Sequence, residues 1–183
     1  IVKEKIKKYA GIQQRQRDQR RDRNMKTVAL AGYTNAGKST LIKTLTRKKD
    51  VYIADELFAT LDSKIGELYL GDDYKQKVGL ADTIGFIQDL PPDLIQAFKT
   101  TLAEIVDADL ILHVIDISDK NIHLKIKVVE EILDELLEGK TTQRIFVFNK
   151  LDRLNHLSEE DKLIYIAGLT ERYTANQPQL VSA

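Results

Sequence analysis

The chain has 183 residues with 28 basic and 28 acidic side chains, no net formal charge, and 43% hydrophobic content; it is too apolar to be disordered. With no cysteine, disulfides, thiol nucleophiles, iron–sulfur clusters and thiolate zinc sites are excluded. Its three histidines, His113, His123 and His156, lie far apart, and no apolar run approaches the roughly 20 residues of a membrane helix. The neutral total hides an asymmetry. Residues 1–26 hold ten bases against three acids, a net +7, and the other 157 residues hold 18 against 25, a net −7. The larger part suffices for one well-buried domain. A chain beginning at Ile1 is expected to be a piece of a longer protein.

In chain order, Ile1–Asn24 is predicted as one helix: Val2, Ile6 and Tyr9 follow helical spacing, and Gln13 to Arg23 contains nothing apolar. Its five arginines from Arg15 onward suit either RNA phosphates or a solvated helix face. Thr27–Ala31 is a short apolar strand that enters a glycine loop, and Ser39–Leu45 is the helix after it. Lys64–Leu70 and Tyr74–Ala81 are strands joined by hairpin chemistry at Gly71-Asp72-Asp73. Asp93–Val106 has helical spacing after Pro91-Pro92. Leu110–Ile115 and Arg144–Phe148 read as buried strands, and Ile122–Leu137 between them as an amphipathic helix whose acidic stretch Glu130–Glu138 is a solvated face. His113 is expected as a packed core histidine, and His123 and His156 as surface residues. Ser158–Tyr173 is helical with Ser158 and Asp161 spaced as N-cap and N3, and Leu180–Val181 begins a last strand. Strands alternating with helices predict an α/β fold: a mostly parallel sheet with helices on both faces and one antiparallel edge.

Gly32-Tyr33-Thr34-Asn35-Ala36-Gly37-Lys38-Ser39 fits G-x-x-x-x-G-K-[ST] between an apolar strand and a helix, the context that motif requires. Loop N–H groups and a helix N-terminus converge there on phosphate oxygens. Lys38 adds a point charge at the β- and γ-phosphates and Ser39, followed by Thr40, offers a hydroxyl to Mg²⁺. Asn149-Lys150-Leu151-Asp152 follows an apolar strand and suits guanine. An aspartate accepts from guanine N1–H and its 2-amino group, and adenine would leave a buried Asp152 unpaired. Asn149 can bond the base and the phosphate loop, while the Lys150 stem covers a ring face. Those residues stand against an ATPase reading. Asp82-Thr83-Ile84-Gly85, closing the strand Tyr74–Ala81, places Asp82 to hold Mg²⁺ through water and the Gly85 N–H to meet a γ-phosphate.

Together these motifs resemble the Ras-like P-loop GTPase domain. The stretches 32–40, 55–62 (Asp-Glu-Leu-Phe-Ala-Thr-Leu-Asp), 82–91 (Asp-Thr-Ile-Gly-Phe-Ile-Gln-Asp-Leu-Pro), 97–102 and 108–116 are similar to HflX-type GTPases of the OBG–HflX-like superfamily. The resemblance implies a GTPase domain over 26–183, cut before its last helix. It also implies that residues 1–25 are the end of a basic helical linker from a missing amino-terminal domain. By the same resemblance Thr60, beside Phe58 and Ala59, is the switch threonine that ligates Mg²⁺ and meets the γ-phosphate. Ser182 and Ala183 open the last guanine motif, with the Ala183 N–H on guanine O6. GTP or GDP with Mg²⁺, the large ribosomal subunit and its RNA as partner, and a monomeric cytoplasmic protein are implied as well. Lys38, Thr60 and Gly85 would carry catalysis, and Ser39, Thr60 and Asp82 the metal. One departure bears on mechanism. Where a Ras-like enzyme has the water-orienting glutamine, this chain has Phe86, so slow intrinsic hydrolysis is expected; Gln88 is displaced by two positions.

Overall fold

Period-two alternation sends strand side chains to opposite sides of a sheet, and the core is divided accordingly. The structure, a computed structural model, describes residues 25–46, 64–71, 76–83, 85, 102 and 104–183. Its strands are β1 (Thr27–Ala31), β2 (Lys64–Tyr69), β3 (Lys77–Asp82), β4 (Leu110–Asp116), β5 (Gln143–Asn149) and β6 (Gln179–Leu180). The helices are α1 (Lys38–Thr46), α2 (Ile122–Leu137) and α3 (Glu159–Arg172), with short 3-10 turns at Leu151–Leu154 and Thr174–Asn176. Ala29, Ala31 and Ile111 meet Val129, Leu133 and Leu137 of α2 and the helical residues 102 and 105 on one face. Ile115, Phe146 and Phe148 continue that face under Ile122, Ile126 and, on α3, Leu169. Leu30, Leu80, Val114 and Val147 face the other way, against Leu41 and Ile42 of α1.

The six strands run in the order β2-β3-β1-β4-β5-β6. Only β2 against β3 is antiparallel. Across the β2–β3 connection Leu70 N–H donates to Gln76 O at 3.0 Å, with Gly71 at φ 89°; Asp72 and Asp73 of the expected turn lie outside the described residues and β3 starts at Lys77. The expected α/β sheet with helices on both faces is therefore present. Boundaries move by a few residues: α1 starts at Lys38, β3 includes Asp82, β4 reaches Asp116 and β5 reaches Asn149. The motif residues Asp82 and Asn149 are thus strand ends held in the ladder, not the first residues of loops. Ser158 caps α3, its Oγ accepting from Asp161 N–H at 3.1 Å. The expected helix 1–24, the loop 55–62 and most of the helix 93–106 lie outside the described residues.

The acidic run on α2 is not uniformly a solvated face. Glu130 turns inward, accepting from His113 Nδ1 at 2.8 Å and Arg144 Nη1 at 2.9 Å, while Arg144 Nη2 reaches Asp134 at 2.7 Å. A carboxylate has no proton to give, so His113 carries its hydrogen on Nδ1. Burial lowers the His113 pKa against the pull of Glu130, keeping it neutral in the core, edge-on to Phe146. Among the described residues no helix is long and apolar enough to cross a membrane.

Candidate nucleotide site

The parallel ladder aligns Leu30 with Asp82, Ala31 with His113, and Asp116 with Asn149. The glycine loop, Asp82 and the 149–152 motif therefore leave the sheet at one edge, beside the carboxyl ends of neighbouring strands, where open α/β sheets bind ligands. The loop fits there only because two residues lack a side chain. A Cβ on Gly32 (φ 152°) would lie 2.2 Å from Val114 O, and one on Gly37 (φ 93°) 2.3 Å from Asn149 Nδ2.

Lys38 opens α1 and is almost fully buried; its ammonium donates to Gly32 O and Tyr33 O, both at 3.0 Å. Burial pushes its pKa down to about 8, with Asp82 pulling the other way. Ser39 Oγ donates to Asp82 Oδ2 at 2.7 Å. This hydroxyl and carboxylate are hard oxygen donors next to the loop, a set that suits Mg²⁺. Among the described residues no three His, Cys, Asp or Glu gather, so a metal here would draw further ligands from a nucleotide and water, as Mg²⁺ at phosphates does. Gly85 backs onto the loop, 2.8 Å from Thr34 Cα and 3.0 Å from Lys38 Nζ as measured from an added Cβ.

Asn149, fully buried, joins three segments. Its Nδ2 donates to Ala36 O at 3.0 Å, and its Oδ1 accepts from Ala183 N–H at 3.1 Å. Lys150 adopts the left-handed conformation (φ 65°) and donates to Asn35 O at 2.5 Å, where Asn35 is itself left-handed (φ 60°). Asp152 accepts from Ser182 Oγ and is otherwise exposed. It sits in the 3-10 turn beyond the sheet edge. The structure thus brings together Gly32 to Thr40, Asp82, Gly85, Asn149, Lys150, Asp152, Ser182 and Ala183; Phe58, Ala59 and Thr60 lie outside the described residues.

Two residues were not singled out from the sequence. Thr83 is fully buried and donates to Leu30 O at 2.5 Å, tying the end of β3 to β1. Asp116 closes β4 and binds Lys150 Nζ at 2.8 Å. An aspartate ending an apolar strand is the signal that marks Asp82, and it would have found Asp116 too.

Fold and loop together define a P-loop protein of the Ras-like α/β class. The comparisons narrow this. A family model of 50S ribosome-binding GTPases matches residues 27–150. GTPase HflX of Caldanaerobacter subterraneus subsp. tengcongensis is 45% identical over 168 residues, covering 91% of this chain and 38% of that protein. GTPase HflX of Escherichia coli K12 is 40% identical over 179 residues, covering 93% and 41%. Among solved structures, a variant of Aquifex aeolicus Era bound to GDP·AlF4− superposes with a TM-score of 0.67 at 22% identity, covering 85% of this chain and 50% of that one; that likeness shows the fold. The chain belongs to the 50S ribosome-binding GTPase family and is of the HflX type. It spans about two fifths of the length of these HflX relatives.

Proposed function

We propose that the chain is a GTP-binding switch that hydrolyses GTP slowly on its own and works with the large ribosomal subunit. The observation that carries this is the pair of hydrogen bonds made by the Asn149 side chain, which donates to Ala36 O of the phosphate loop and accepts from the Ala183 N–H. Asp152 beside Ser182 offers the acceptor for the guanine edge. Lys38 supplies positive charge at the phosphates, and Ser39 and Asp82 would hold the metal, with Thr60 as the switch residue expected to ligate it. Magnesium, when bound, neutralises charge on the phosphate oxygens. The reaction is in-line attack of water on the γ-phosphate, driven by positioning and electrostatics. Thr60 and Gly85 order around the γ-phosphate and relax once it leaves. Residues 1–25 serve as a basic helical linker to the domain over 26–183, in a monomeric cytoplasmic protein whose partner is ribosomal RNA.

A second reading, a nucleotide-responsive binding module with negligible hydrolysis alone, is favoured by Phe86 in place of a water-orienting glutamine. Single-turnover hydrolysis with and without purified large ribosomal subunits separates the two. Slow turnover that the subunits accelerate supports the first reading, and turnover absent without them the second. A lack of stimulation removes the partner, and ATP competing as well as GTP removes the base assignment.

A further inference from the structure

The phosphate loop is gripped from behind by the short connection between β4 and α2. A groove of about 90 Å³ separates them, walled by Tyr33 and Asn35 on one side and by Asp116, Asp119 and Lys125 on the other. Two lysines span it. Lys150 bonds Asn35 O at 2.5 Å and Asp116 Oδ2 at 2.8 Å. Lys125 pairs with Asp119 and sets its ammonium 4.6 Å from the centre of the Tyr33 ring, a cation–π contact. Tyr33 in turn presents the carbonyl that holds Lys38.

Both carboxylates are fixed before they meet their lysines. Asp116 Oδ1 accepts from Ser118 N–H at 3.0 Å and Ser118 Oγ at 2.6 Å. Asp119 Oδ1 accepts from Asn121 N–H at 2.8 Å, and Asp119 N–H donates to Asp116 O at 3.2 Å. The connection is therefore a preformed turn with two acidic arms, one reaching residue 35 and the other residue 33. A loop that must present its N–H groups to phosphate binds more tightly when it is held in that shape beforehand.

We infer that Asp116 and Lys125 are positioning residues for nucleotide binding, acting through Lys150 and Tyr33 to keep the phosphate loop in its binding shape. This rests on the guanine-nucleotide reading of the same site. The start of α2 and the loop would then move together, so a displacement of the β4–α2 turn loosens a bound nucleotide.

The test is the release rate of a fluorescent GDP analogue from the full chain, chased with unlabelled GDP. Asp116→Asn and Lys125→Met keep the Ser118 and Asn121 bonds of the turn. Asp116→Asn is expected to speed release about ten-fold and Lys125→Met about three-fold, with the double variant faster than either but not by their simple product, because the Asp119 N–H bond to Asp116 O couples the arms. Lys125→Arg, which keeps a cation over the ring, restores the wild-type rate. Release of inosine diphosphate is accelerated by the same factors as GDP release, since neither arm meets the 2-amino group that distinguishes the two bases; mere loss of folding would instead lower the melting temperature of the nucleotide-free chain. Single variants within two-fold of wild type, or Lys125→Arg as fast as Lys125→Met, overturn the inference while leaving the nucleotide reading standing. A wild-type chain that retains no GDP overturns both.

Discussion

Between Gly32 O, Tyr33 O and Asp82, the Lys38 ammonium is almost removed from water, which is why its pKa falls to about 8. A phosphate favours the charged form, so the bound pKa lies above the free one. Below pH 8 the free lysine is already protonated and binding takes up no proton there. Above pH 8 binding must take one up, and affinity falls as pH rises. Calorimetry in buffers of differing ionisation enthalpy should find little proton uptake at pH 7 and about one proton per GDP at pH 9. Lys38→Met should abolish the difference. Lys38, Ser39 and Asp82 were legible in the sequence because their motif spacings are local. Thr83 was not: its partner Leu30 lies 53 residues away, and no local pattern carries that bond. Nor did any spacing mark Lys125, since helical periodicity places it on the polar side of α2 whatever it touches.

At the scale of elements, α2 packs its apolar stripe on the face of the sheet that carries Ala29 and Ala31 of β1, the strand that enters the loop. Ile122, Ile126, Val129, Leu133 and Leu137 form its buried stripe, and Leu133 is wholly enclosed with Ala29, Ala31 and Ile111. Leu133→Ala leaves a cavity and is expected to lower stability by about 2–5 kcal/mol, read as an earlier urea midpoint at unchanged slope. The stripe and the strands β4 and β5 were readable from periodicity and from uninterrupted apolar runs. Leu151–Leu154 was not, because four residues of Leu-Asp-Arg-Leu carry no period. Only the left-handed Lys150 before it starts that 3-10 turn. The inward turn of Glu130 was hidden for a related reason: His113 and Arg144 meet it from separate strands.

For the whole molecule, the charge changes sign near Lys26, where Asp109 accepts from Lys26 Nζ at 2.7 Å and from Thr27 N–H at 2.8 Å. If the basic segment is an RNA-contacting linker, deleting residues 1–24 should weaken affinity for large ribosomal subunits and flatten its salt dependence while sparing GDP binding. Unchanged affinity and slope would leave the segment as solvated chain. The wiring of Asn149 has a consequence for the order of events in synthesis. Its partners lie 113 residues before it, at Ala36, and 34 after it, at Ala183. Contacts of such separation form late, once the intervening chain is fixed. A nascent chain therefore has its phosphate-loop sequence long before it has the residues that hold that loop, because Asn149 and Lys150, which bond Ala36 O and Asn35 O, are made more than a hundred residues later.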